Sequence, residues 1–255
     1  MAVTDYCFID EAGDLERHSK VFLVGCIITD TPDDLLKDMA CLEKEVTSTA
    51  YYRRHKESFL KSGFHACKNH PDIYSRFVAL LSTMNFRAYA VLLNKFTEYF
   101  RKITDSQSKE QIYDYMVKDL LKDRLLGQAE GMHYLFFEQN LPRPSRRRME
   151  KRERKLSSLI ESISNDLLER KLTRTRLAFQ LALLNKSEQK LFSVVDYVNH
   201  IILKVHEGRN GNVQEFMKHN YELIQPKIGS IHDIAKGTFI VPRKKGLDIE
   251  SSFIG

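Results

Sequence analysis

The sequence predicts an α/β fold, a mixed sheet covered by helices. Three observations carry that reading. Two apolar runs near the start, Tyr6–Asp10 and Val21–Thr29, are separated by a short polar stretch that suits an antiparallel hairpin. Three more strand-like runs follow, and helical periodicity lies between them. The 255 residues, 42% apolar and 29% charged, suffice to bury a core without help from metal or disulfide.

Each element has its own signal. Tyr6–Asp10 is apolar on both faces, as a central strand should be, and Gly13 permits the turn after it. Val21–Thr29 is rich in β-branched residues. Pro32 opens a helix over Asp33–Glu45, with Leu35, Leu36, Met39 and Leu42 at helical spacing. Tyr51–Asn69 is polar, aromatic and basic and receives no assignment. Pro71 starts a helix to Met84, and Phe86–Asn94 is the third strand. Gln107–Leu126 reads as an amphipathic helix, Met132–Glu138 as the fourth strand and Ser145–Lys171 as a long charged helix. Arg176–Leu184 is the fifth strand, Glu188–Glu207 a strongly apolar helix, and a helix near Val213–Leu223 precedes a Gly-punctuated tail. No repeat or Pro/Gly/Ser-rich linker divides the chain, so one domain over residues 1–255 is expected, with its core in residues 5–235.

Composition excludes several classes. With 11 Gly and 6 Pro the chain is neither collagen-like nor low-complexity. No apolar run reaches the roughly 18–20 residues of a membrane span. The opening residues lack a basic segment followed by an apolar one, so a secretory signal is not expected. Cys7, Cys26, Cys41 and Cys67 form no Cys-x-x-Cys pair and read as reduced thiols. A cytoplasmic location without membrane contact is the expectation.

The chemistry is suggested by carboxylates at the ends of apolar elements. Asp10 and Glu11 close the first strand, Glu138 closes the fourth, and Asp196 lies within the apolar helix Glu188–Glu207. A buried charge must be compensated. Three carboxylates brought together repel one another, and a divalent cation removes that conflict. Oxygen-only ligands suit Mg²⁺ or Mn²⁺, and two such ions about 3.5–4 Å apart activate water and stabilise the leaving oxygen of a phosphodiester. Strand alternation places Asp10 on the face of Phe8 and turns Glu11 away. On the late helix, Asp196 falls nearly opposite the stripe Leu191, Val194, Val195, Val198, Ile201, Ile202 and Val205, which argues for exposure. Phe192 and Leu203 flank it, however, so a second, partly polar surface is expected over that side. Each acid also has a plain structural reading as a turn, cap or exposed helix residue, and His65 one as a loop histidine.

The opening Phe8-Ile9-Asp10-Glu11-Ala12-Gly13-Asp14 resembles the start of the domain-of-unknown-function family 3800. Phe64-His65-Ala66, Leu135-Phe136-Phe137-Glu138 and Leu191–Asn199 resemble later segments of that family in the same order, over roughly residues 5–235. The resemblance implies an RNase H-like mixed sheet flanked by helices, with helical insertions, and a metal-dependent nuclease site. It implies Asp10, Glu138 and Asp196 as metal ligands, Glu11 as a further catalytic acid, and His65 as a phosphate-contacting or proton-transfer group. The chain departs from the family's pattern in carrying Glu138 where aspartate is usual, and Phe64 where a polar or acidic residue often precedes the histidine.

The net charge is +6, and the run Arg143–Lys155 holds eight basic and two acidic residues. Arg143, Arg146, Arg147, Arg148, Lys151, Arg152, Arg154 and Lys155 are candidates for a nucleic-acid-binding face. The plain alternative is a solvated helix whose Glu150 and Glu153 pair locally. The leading expectation is a Mg²⁺- or Mn²⁺-dependent nuclease acting on DNA or RNA. The alternative is a weak or inactive nucleic-acid-binding or interaction component of a mobile-element or defence system. In that case the two-sided apolar helix would face a second copy or a partner protein.

Overall fold

The computed structural model describes residues 4–16, 19–122, 131–139, 145–208 and 214–242. Seven strands form one mixed sheet in the order β5-β4-β1-β2-β3-β6-β7. Strand β1 (Thr4–Ala12) pairs antiparallel with β2 (Val21–Thr29), and β2 antiparallel with β3 (Arg87–Asn94). Strand β4 (Met132–Glu138) lies parallel to β1, and β5 (Ala178–Leu184) parallel to β4. Beyond β3 lie β6 (Ile228–Asp233), parallel to it, and the short antiparallel β7 (Thr238–Ile240). The expected α/β class, with its mixed sheet between helices, is what the chain adopts.

Helices cover both faces. One core joins the sheet to α1 (Pro32–Ser48), α2 (Lys56–Ser62), α3 (Pro71–Thr83), α7 (Phe192–Glu207) and α8 (Glu215–Ile224). The opposite core joins it to α4 (Glu98–Ser106), α5 (Lys109–Lys122) and α6 (Arg146–Glu169). Strand alternation divides β1 between them, Phe8 into the first core and Cys7 and Ile9 into the second.

The structure fills in stretches that had no assignment. The Gly-punctuated tail after α8 holds β6 and β7, which extend the sheet past β3. The expected helix Gln107–Leu126 is observed as α5 over Lys109–Lys122, with residues 123–126 lying outside the described residues, and α4 precedes it over residues that had no assignment. The unassigned stretch 51–69 holds the end of a 3-10 turn (Ala50–Tyr52), α2 and a loop docked on α7. All four cysteines are free thiols. No helix among the described residues is long and apolar enough to cross a membrane.

Helix α7 is buried almost all round, only Asp196, His200, Lys204 and the last two residues being less than fully covered. Its first apolar side rests on β1 and β2. The loop 63–70, α3 and α8 close over much of the rest through Phe64, Tyr74 and Tyr221. The surplus apolar surface of this helix is therefore covered by the chain itself, and the interface expected there is corrected. Near the helix end, burial pushes the His206 imidazole down to about 4, with Lys236 adding to the effect. A histidine depressed in the fold is protonated first in the unfolded chain, so its contribution is complete above about 6.5 and lost as the pH falls toward 4. His206→Asn should remove about 2–3 kcal/mol of the stability difference between pH 7 and 4, read by urea denaturation of both chains at the two pH values.

Candidate functional site

The site is assembled by register. Along the parallel β1–β4 pair, Tyr6 stacks on Tyr134 and Phe8 on Phe136, each at 5.0 Å between ring centroids. Such pairs add about 0.5–1.5 kcal/mol each beyond their burial. The next residues on the same face are Asp10 and Glu138, so the ladder that aligns the aromatic rings also brings the two carboxyls together. The two carboxyls stand close enough to act directly on one another. Burial, the Glu138 charge and then Glu11 push the Asp10 carboxyl well above the usual carboxylate range. Burial also raises Glu138, against the opposing pull of Lys186.

Helix α7 supplies the third acid. Asn199 Nδ2 donates to the Asp10 carbonyl at 3.0 Å, fixing the helix on β1. The approach is allowed by Gly25, which faces Asp10 across the β1–β2 ladder. A Cβ at that position would stand 2.0 Å from Asn199 Oδ1. One turn before Asn199, Asp196 raises both Asp10 and Glu138 through its charge. Asp196 is itself fastened: Lys186 Nζ lies 2.6 Å from its Oδ2, the Ala66 N–H donates to the same oxygen at 3.0 Å, and His65 Nδ1 lies 3.4 Å away. All these contacts fall on Oδ2. The loop bearing His65 is pinned to α7 by Ser193, whose hydroxyl donates to the Phe64 carbonyl at 2.7 Å, and by Tyr197, whose hydroxyl donates to Asn69 Oδ1 at 2.6 Å. Burial pushes the His65 imidazole down, Asp196 pulls it up, and Lys186 and Lys68 push it further down.

The expected residues are therefore partly united. Asp10 and Glu138 touch, Asp196 stands within electrostatic reach of both, and His65 contacts Asp196. The partly polar surface expected over Asp196, opposite the main stripe, is the 63–70 loop, which covers it. Glu11 lies on the other face, as alternation requires. There burial pushes the Tyr113 phenol on α5 up, the charge of Glu11 and, less, of Asp10 adds to the effect, and Arg152 opposes it. Among the described residues no three acidic, histidine or cysteine side chains already surround one point as a metal cage. The donors nonetheless suit a hard divalent cation, since they are carboxylate oxygens from three separate elements.

Lys186 was missed by the sequence reading. It stands two residues beyond Leu184, and Leu184 pairs with Glu138. Its place was legible only once the β4–β5 register was known.

The basic run separates into two parts. Arg152 and Lys155 turn toward α5: Arg152 lies 3.0 Å from Asp114 and 4.7 Å over the Tyr113 ring, and Lys155 lies 2.7 Å from Asp114 and 3.0 Å from Glu110. These two hold α5 and α6 together, which is the plain structural role. Arg146 and Arg154 pair with Glu150 on their own helix. Arg147, Arg148 and Lys151 are exposed. Arg143 lies outside the described residues.

No family model and no curated protein matches the chain. Among solved structures, one described as the PCNA:RNase HII complex from Archaeoglobus fulgidus is similar at 13% identity, over 85% of this chain and 77% of that chain, with a TM-score of 0.37.

Proposed function

We propose that the chain is a divalent-metal-dependent nuclease that hydrolyses phosphodiester bonds of DNA or RNA on an RNase H-like sheet. The observation that carries the reading is the meeting of Asp10 and Glu138 at the ends of adjacent parallel strands, with Asp196 presented over them by α7. The antiparallel β1-β2-β3 meander extended by parallel β4 and β5 supports the RNase H-like assignment.

In this reading Asp10, Glu138 and Asp196 hold Mg²⁺ or Mn²⁺ in a two-ion site. When bound, the ions supply activated water and charge stabilisation of the leaving oxygen. The chain's own residues do the rest. The aromatic ladder and Asn199 fix the Asp10 backbone, so its carboxyl meets Glu138 without a search. The loop pinned to α7 shields Asp196 from bulk water and strengthens its interactions. His65 is placed beside Asp196 to accept a proton or contact a phosphate. Glu11 stays on the far face and sets the field under Asp10 with Tyr113. Arg147, Arg148 and Lys151 offer positive charge for a nucleic-acid backbone, on the helix that follows the strand bearing Glu138.

Isothermal titration with Mn²⁺, beside incubation with end-labelled single- and double-stranded DNA and RNA, tests the reading. Saturable Mn²⁺ binding and cleavage abolished by chelator are the expected results. Cleavage that persists in chelator, or no binding of Mn²⁺ at millimolar concentration, overturns it. Metal and nucleic-acid binding without turnover would favour the inactive binding component.

A further inference from the structure

Lys186 is the most buried cation of the site, and nothing in the proposed chemistry uses it. Its side chain is 19% exposed and its ammonium lies 2.6 Å from Asp196 Oδ2. Its charge also reaches Glu138 and His65. It follows β5 directly, and β5 is paired with the strand that carries Glu138, so the sheet fixes its approach rather than a long free loop.

We infer that Lys186 is a built-in counter-cation that competes with the divalent ion for Asp196. This rests on the proposed metal site and adds its regulation. The argument is one of charge. Three carboxyls are gathered in a partly buried space, and the negative charge of Asp196 is balanced by the ammonium 2.6 Å away. A divalent ion brought among the same oxygens must take Asp196 from Lys186 or tolerate a positive charge at ion-pair distance, and either weakens its binding. The lysine therefore keeps the cation-free site folded and sets the metal concentration at which the site fills. No titration of Lys186 is required.

Two effects of opposite sign follow. Lys186→Gln removes the competitor, so Mn²⁺ should bind about tenfold more tightly. The same change leaves Asp196 without its counter-charge, so the chelator-treated variant should melt several degrees below the wild type, and Mn²⁺ should raise its melting temperature by more than it raises that of the wild type. A lysine needed only for structure would lower both melting temperatures together and leave or weaken the affinity.

The test is titration calorimetry with Mn²⁺ and thermal melting with and without Mn²⁺, on full-length wild type, Lys186→Gln, Lys186→Met and Lys186→Arg. Tighter binding in Gln and Met, with Arg close to wild type, is the expected result. Two neutral variants guard against one that fails to fold. Wild type that binds Mn²⁺ while both neutral variants bind equally or more weakly overturns the inference and leaves the metal site standing. Wild type that binds no Mn²⁺ overturns the metal site and the inference with it.

Discussion

Asp10→Asn is expected to abolish divalent-ion binding and cleavage while leaving the cation-free fold at least as stable as before. Asp10 is 4% exposed, and burial and the neighbouring acids push its carboxyl well above the usual range. A neutral amide there avoids burying a charge and can donate to Glu138, and the Asn199 bond to the backbone carbonyl is untouched. What is lost is an anionic oxygen, and with it a metal ligand, so affinity for Mn²⁺ and the cleavage rate should each fall at least about 100-fold. The pH dependence gives the sign of the stability change. Asp10 and Glu138 are both raised in the fold. A raised carboxyl favours the fold while protonated. That contribution is complete below the ordinary carboxylate range, about pH 4, and is lost as pH rises through the elevated folded value. In chelator the melting temperature of the wild type relative to that of the variant should therefore fall as pH rises from about 4 to 9, the histidine contributions being common to both chains. Melting curves across that range, with calorimetry at neutral pH, check both halves. A variant that binds Mn²⁺ like the wild type contradicts the assignment of Asp10.

Gly25→Ala has the second largest expected effect, and it acts through a neighbour. A methyl group at that position collides with Asn199, which is 1% exposed and has no room to retreat. Helix α7 must lift from β2, weakening the Asn199 bond to Asp10 and moving Asp196 away from the other two acids. Overpacking of this kind costs about 1–3 kcal/mol. The signature is non-additivity. Asn199→Ala alone gives up the bond to Asp10, but added to Gly25→Ala it supplies the missing space, so the double variant should be more stable than Gly25→Ala alone. Urea denaturation of the four chains completes the cycle, and simple addition of the two losses would show that the contact is not the cause.

The contrast between what was legible in the sequence and what was not follows from the range of the interactions. Strands β1 to β5 announce themselves by short apolar runs, and the face on which Asp10 lies follows from alternation alone. Glu11 on the opposite face follows in the same way. Asp196 was harder, since its helical position pointed away from the main apolar stripe. Its burial depends on a loop more than a hundred residues earlier, which carries Ala66 and His65 to it. Lys186 had no signal of its own, because its meaning depends on the pairing of β5 with β4. Strands β6 and β7 lie in a tail of ordinary composition, where pairing with β3 rather than local propensity decides the structure. The division of the basic run was equally hidden, because only the packing of α6 on α5 separates Arg152 and Lys155 from Arg147, Arg148 and Lys151.

Strands β2 and β3 are direct neighbours, yet three helices and the His65 loop intervene between them in the chain. The floor of the cluster is thus laid down by strand pairing, whereas one of its walls belongs to an excursion that no pairing rule constrains. Changes in the length or sequence of that excursion would remodel entry to Asp196 without disturbing the Asp10–Glu138 pair. A lineage could in this way retune which molecules reach the acids while keeping the acids themselves fixed.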